Sequence, residues 1–204
     1  GGSCPLTGGV DAGLAQVAEL VDRIGEAPIP AGGGKELNDM LAFYGIVVNL
    51  YSHRSWPNLT AALNEAIFTG TGARLLADAN RYLDRTPDGG YTENANLARA
   101  AINCLDYPAV LRDYDEMVAF ADRVTAVAPT FGAFFAMGAG CEHWPIEATG
   151  ERHRIAAEGA PPILVIGTTG DPATPYAWSV ALADQLTSGV LLTWVGEGHT
   201  AYGR

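Results

Sequence analysis

Lysine is almost missing from this chain, since Lys35 is the only one in 204 residues. Twelve basic residues stand against 23 acidic ones, giving a formal charge of −11 and a pI near 4.6. No cluster of Lys and Arg reverses that balance locally, so a phosphate backbone would be repelled and nucleic acid is excluded as a partner. Also absent is any run of 18 or more apolar residues, and no membrane span is expected. The first residues show neither the basic nor the apolar region of a signal peptide. Gly1-Gly2-Ser3 reads as an added tail or as a cut inside a longer chain. Charged residues are scarce at 17% while 48% are hydrophobic, which excludes a disordered segment and provides for a core.

Cysteine is sparse too. Cys4, Cys104 and Cys141 fit no metal-binding spacing, and no metal is expected. In an oxidising compartment two of them would pair and one would be left over. In a reducing one all three would be small buried thiols. No nucleotide cofactor is expected either. Gly167-Thr168-Thr169-Gly170 reads as a loop after a strand, yet neither G-x-G-x-x-G nor a following Gly-Lys-Ser/Thr is present.

What is present falls into two parts. Up to about residue 128 the spacing predicts helices joined by short loops. Asp11 is placed to cap a first helix with Leu14, Val17, Ala18, Val21 and Ile24 inward. A second helix would carry Leu37, Met40, Leu41, Tyr44, Val47 and Val48 on one face. Trp56-Pro57 restarts the chain and Gly70 stops it. Thr71 would cap a fourth helix burying Leu75, Leu76, Ala79 and Tyr82, and Thr92 a fifth. Thr86-Pro87-Asp88-Gly89-Gly90 is a turn signal. A sixth helix would carry Tyr114, Val118, Ala121 and Val124.

Beyond Pro129 the pattern changes. Ile163–Ile166 reads as a strand buried on both faces of a parallel sheet. Thr174-Pro175 opens a helix with Val180, Leu182, Ala183 and Leu186 inward, and Val190–Val195 is a second strand. One βαβ unit results. Two strands do not make a stable sheet, so this unit is expected to be the edge of a larger one.

The chemistry sits at the ends of those strands. Asp171 and His199 each follow a predicted strand, and a right-handed crossover brings both strand ends to one rim of the sheet. Neighbouring strands are about 4.8 Å apart, within reach of a carboxylate–imidazole hydrogen bond. A carboxylate on Nδ1–H fixes the imidazole tautomer and leaves Nε2 to take a proton from a hydroxyl. Gly170, Gly196 and Gly198 would permit the tight turns. The plainer alternatives are a turn-forming Asp and a solvated His. His53, His143 and His153 have no such carboxylate after a strand. A nucleophile is lacking: none of Ser3, Ser52, Ser55, Ser179 and Ser188 lies in G-x-S-x-G.

The residues Pro162–Ala173 with Thr174-Pro175, and the run Gly196-Glu197-Gly198-His199-Thr200-Ala201-Tyr202-Gly203, strongly resemble the C-terminal region of actinobacterial tripeptidyl-aminopeptidase-like α/β-hydrolases. These are secreted or cell-envelope serine peptidases related to prolyl aminopeptidases. Ala100–Asp106 and Cys141-Glu142-His143-Trp144-Pro145 look like the same pattern. The resemblance implies an α/β-hydrolase fold fragment, with a helical cap over residues 1–100 and part of the core over 101–204. It implies Asp171 and His199 as two members of a triad, with the serine upstream. It also implies a Cys104–Cys141 disulfide, with Cys4 pairing upstream, and a Cys-containing tail after Arg204. Peptide substrate and the missing N-terminal half of the fold are the partners expected, in a secreted or envelope setting. Glu65 and Asp106 are conceivable ligands for a substrate amine. An esterase or lipase of the same fold is the nearest alternative, and a non-catalytic helical interaction module the more distant one. The module would hold Asp171 and His199 more than about 6 Å apart, outside hydrogen-bond reach.

Overall fold

The computed structural model describes residues 3–107, 113–136, 141, 144–148, 150–151 and 153–203. Glu142, His143 and Arg204 lie outside them. The chain forms two compact units, Gly1–Ile46 with Thr60–Glu151, and Val47–Leu59 with Arg152–Arg204.

In the first unit α1 (Val10–Glu26) buries Gly13, Val17, Leu20, Val21 and Ile24. The helical period is as expected, but the buried stripe is turned by part of a turn. Leu20 lies inside and Leu14 is exposed. Asp11 falls inside the helix, whose N-cap is Gly9 with no side-chain bond. A two-residue antiparallel pair follows, β1 (Ile29–Pro30) with β2 (Glu36–Leu37), so Leu37 belongs to a strand instead of the second helix. Helix α2 (Asp39–Leu50) is apolar on all sides, and periodicity cannot choose its inner face. The structure buries Ala42, Phe43 and Ile46, the opposite side from Met40, Leu41 and Tyr44. Gly45 decides this, because a Cβ there would run into the main chain at Leu75 of α4 (Ala73–Tyr82).

Helix α3 (Trp56–Asn64) runs into a π-helical turn, Glu65–Thr69, closed by Gly70 at φ 67°. Thr71 does not cap α4. Its hydroxyl donates to Glu65 Oε1, 3.2 Å, and that oxygen accepts from Ala73 N at 2.8 Å, so the cap comes from the preceding helix. Thr92 likewise turns back to Asp84 O, and α5 (Ala95–Asp106) begins after Asn94. The turn at Thr86–Gly90 forms as expected, with Thr86 N donating to Gly90 O, 2.9 Å. Asp113 caps α6 (Tyr114–Val127), on which Tyr114 and Val118 are exposed, contrary to their expected inward position. After it comes the short α7 (Gly132–Ala136). Cys104 and Cys141 are joined, with Cα atoms 5.2 Å apart.

The second unit contains the βαβ motif. Strand β3 (Ile163–Gly170) extends four residues past Ile166, so Gly167–Gly170 is strand and not loop. Helix α8 (Tyr176–Gln185) lies close against it. A Cβ on Gly167 would stand 2.7 Å from Ser179 Cβ and 2.8 Å from Tyr176 Cδ2, and one on Gly189 would meet the main chain of Ala183. The inner side of α8 is therefore Tyr176, Ser179, Val180 and Ala183, while Leu182 is exposed. Strand β4 (Gly189–Glu197) pairs with β3 in parallel, Ile163 opposite Gly189 and Thr168 opposite Trp194. Leu164, Val190, Leu192 and Val195 stay exposed, Val195 at 83%, so the run is covered on one face and not both.

Candidate active site

Near its end the β3–β4 register slips. Thr168 pairs with Trp194 but Gly170 with Glu197, which inserts one extra residue into β4. The Thr169 hydroxyl stitches this bulge, accepting from Gly196 N at 3.1 Å and donating to Gly196 O at 3.3 Å. Bulges re-aim the side chains beyond them. Here those are Asp171 after β3 and His199 after β4.

Asp171 is fixed from several sides. Its Oδ1 accepts from the amides of Ala173 and Thr174, both at 2.9 Å. Its Oδ2 accepts from the Thr174 hydroxyl at 3.0 Å and the Thr200 amide at 3.2 Å. Thr174 thus anchors the carboxylate; the N-cap of α8 is Pro175, without a side-chain bond. His199 Nδ1 lies 3.0 Å from both carboxylate oxygens. The Asp171 side chain is 4% exposed and that of His199 31%. Burial works against the charge on Asp171, but the amides of Thr174, Ala173 and Thr200 and the His199 imidazole outweigh it and hold the carboxyl well below the usual carboxylate range. An ionised carboxylate only accepts, so the facing nitrogen is the one that carries the proton, and Nε2 is the ring's basic atom.

Of the three glycines expected at turns, only Gly198 has the left-handed backbone, φ 101°. A Cβ on Gly170 would meet only the movable end of the Glu197 side chain, and one on Gly196 would meet the Trp194 indole. No sequence pattern marks Tyr51. Its carbonyl accepts from His199 N at 2.9 Å and its ring packs on the imidazole with centroids 5.2 Å apart. A residue so distant in the chain leaves no local signal.

His53 packs against Trp56 with centroids 4.3 Å apart and the rings tilted by 52°, and His153 is exposed in a loop. Ser52 Oγ accepts from Arg54 N, Ser188 Oγ donates to Pro161 O, and Ser179 packs against Gly167. Glu65, considered for amine binding, is engaged by Ala73, Thr71 and Arg74. Asp106 is exposed at the end of α5.

A parallel βαβ unit with a carboxylate and an imidazole at one rim is an arrangement that α/β-hydrolase cores contain among other α/β folds. Residues 128–204 match the model of the TAP-like protein family, which indicates an α/β-hydrolase fold, and the chain resembles a C-terminal part of such proteins. It is 40% identical over 164 residues to Serine protease Hip1 of Mycobacterium tuberculosis, covering 78% of this chain and 31% of that protein. It is 34% identical over 205 residues to Carboxylesterase B of the same species, covering 98% of this chain and 38% of that one. Tripeptidyl aminopeptidase of Streptomyces lividans is 25% identical over 173 residues, covering 84% and 31%. The chain spans about a third of the length of these relatives. Among the described residues no helix is long and apolar enough to cross a membrane.

Proposed function

We propose that this chain supplies the acid–base pair of a serine hydrolase that removes short peptides or amino acids from peptide N-termini. What supports the reading is one contact, His199 Nδ1 at 3.0 Å from both oxygens of a buried, ionised Asp171. In this scheme a serine from a segment upstream attacks the scissile carbonyl. His199 Nε2 takes the hydroxyl proton and passes it to the departing amine, and a water then releases the acyl group by the reverse transfer. Asp171 keeps its charge throughout, holding the tautomer and stabilising the imidazolium. Oxyanion donors come from the upstream half of the fold.

Residues 1–100 act as the cap and 101–204 as core in this reading, with the β3–β4 pair as the edge of a larger sheet whose further strands come from that half. The Cys104–Cys141 bond favours an oxidising compartment, hence a secreted or envelope protein. The carboxylesterase relative, which aligns with nearly all of this chain, supports an ester substrate as the second reading. A shared fold and triad do not separate the two.

The test uses the whole enzyme, with the upstream segment attached, on matched peptide and ester panels. Asp171→Asn should lower kcat roughly 10⁴-fold, the loss that accompanies a misdirected imidazole, and His199→Ala, which removes the base itself, roughly 10⁶-fold. A fluorophosphonate probe should label the whole enzyme and leave the 204-residue chain unlabelled. Labelling of any serine in this chain alone, or full activity in either variant, overturns the proposal.

A further inference from the structure

The loop that presents His199 is pinned at three successive amides. Gly198 N donates to Gly170 O at 3.2 Å, His199 N to Tyr51 O at 2.9 Å, and Thr200 N to Asp171 Oδ2 at 3.2 Å. Two of these residues have left-handed backbone, Gly198 at φ 101° and Thr200 at φ 62°. For a β-branched residue such a φ is strained, and it persists only where the surroundings over-determine it. The first and third anchors come from the adjoining end of β3. The second comes from the turn between α2 and α3.

That turn is itself braced. Asn49 is buried, and its Oδ1 accepts from Asn58 Nδ2 at 3.0 Å, closing an arc from residue 49 to residue 58. Inside the arc Ser52 Oγ accepts from Arg54 N, and His53 packs against Trp56. The whole segment, Val47–Leu59, belongs to the same compact unit as β3, α8 and β4. Its backbone is therefore in place to hold something, and at Tyr51 it holds His199 twice. The carbonyl fixes the main chain, and the ring lies against the imidazole at 50° between planes.

We infer that Tyr51 is a positioning residue for His199, its carbonyl tethering the loop and its ring setting the imidazole plane that keeps Nδ1 on Asp171. The inference deepens the proposed function and rests on it. In a freely turning ring Cδ2 would take the place of Nδ1, and the carboxylate would lose its N–H donor. Packing from one side removes that freedom, because rotation about χ2 would drive the imidazole into the tyrosine.

The experiment reads ring tautomers in the ¹⁵N-labelled whole enzyme, with the upstream segment attached, by long-range ¹H–¹⁵N correlation, with His199→Gln assigning the signal. The native chain and Tyr51→Phe should both show a single Nδ1–H tautomer for His199. Tyr51→Ala, with an unchanged far-ultraviolet spectrum, should lose it and show averaged nitrogen shifts. An unaltered tautomer in Tyr51→Ala overturns the positioning role. Should that variant unfold, the native chain decides alone. Cross-relaxation between the Tyr51 and His199 rings, with slowed exchange of the His199 amide, supports the inference, and their absence overturns it. Asp171→Asn separates the two levels. If it does not disturb the native tautomer, the Asp–His reading itself fails. If it does and Tyr51→Ala does not, only Tyr51 is wrong.

Discussion

The Asp171 carboxylate is buried yet charged, and together these facts set how it depends on pH. Its protonation in the folded chain is pushed well below the ordinary range by the donors gathered on it, whereas in the unfolded chain it returns to about 3.9. The stabilisation it gives is therefore complete above the unfolded value and is lost as pH falls through that value towards the folded one. Urea midpoints taken between pH 7 and pH 3 should fall more steeply for the native chain than for Asp171→Asn below about pH 5. Equal slopes would mean that the carboxylate is not held as the geometry indicates. Asp171 and His199 were both legible as residues, because each follows a strand signal. Thr174 was legible only as a helix start. Its bonds to the carboxylate depend on where Asp171 turns, which no local pattern records.

At the scale of elements, strand and helix types followed from the sequence more readily than their edges and faces. The βαβ unit was foreseen from one apolar run, one Thr-Pro and a second run. The extra length of β3 was not, because Gly167–Gly170 has weak strand propensity and is held by pairing with β4. Gly167 has a second task, letting α8 approach. Gly167→Ala should destabilise the chain by about 1–3 kcal/mol, the usual range for overpacking, because its methyl would meet Ser179 and Tyr176. Thermal unfolding measures this, and a loss below about 0.5 kcal/mol would contradict the close approach. Two of the misassigned caps share a cause. Thr71 and Thr92 have the right chemistry, but Glu65 and Asp84 compete for them from elsewhere in the chain.

For the whole molecule, the disulfide is the clearest long-range constraint among the described residues. It links positions 37 apart in sequence, and closing a loop of that size is worth about 4 kcal/mol in the chain-entropy model. Replacing both cysteines by serine should lower the unfolding free energy by up to about that amount. No change in the urea midpoint would show that the bond does not form in solution. Composition alone set the acidic balance, a net charge of −11, since charge sums without regard to shape. Hydrophobic period alone gave the helices and the parallel pair, since both are local properties of the backbone. The structure alone chose which side of α2 is buried, slipped β4 by one residue, and brought Tyr51 to His199. Each of those is decided by which surfaces meet, and residues far apart in sequence leave no mark on one another until the chain has folded.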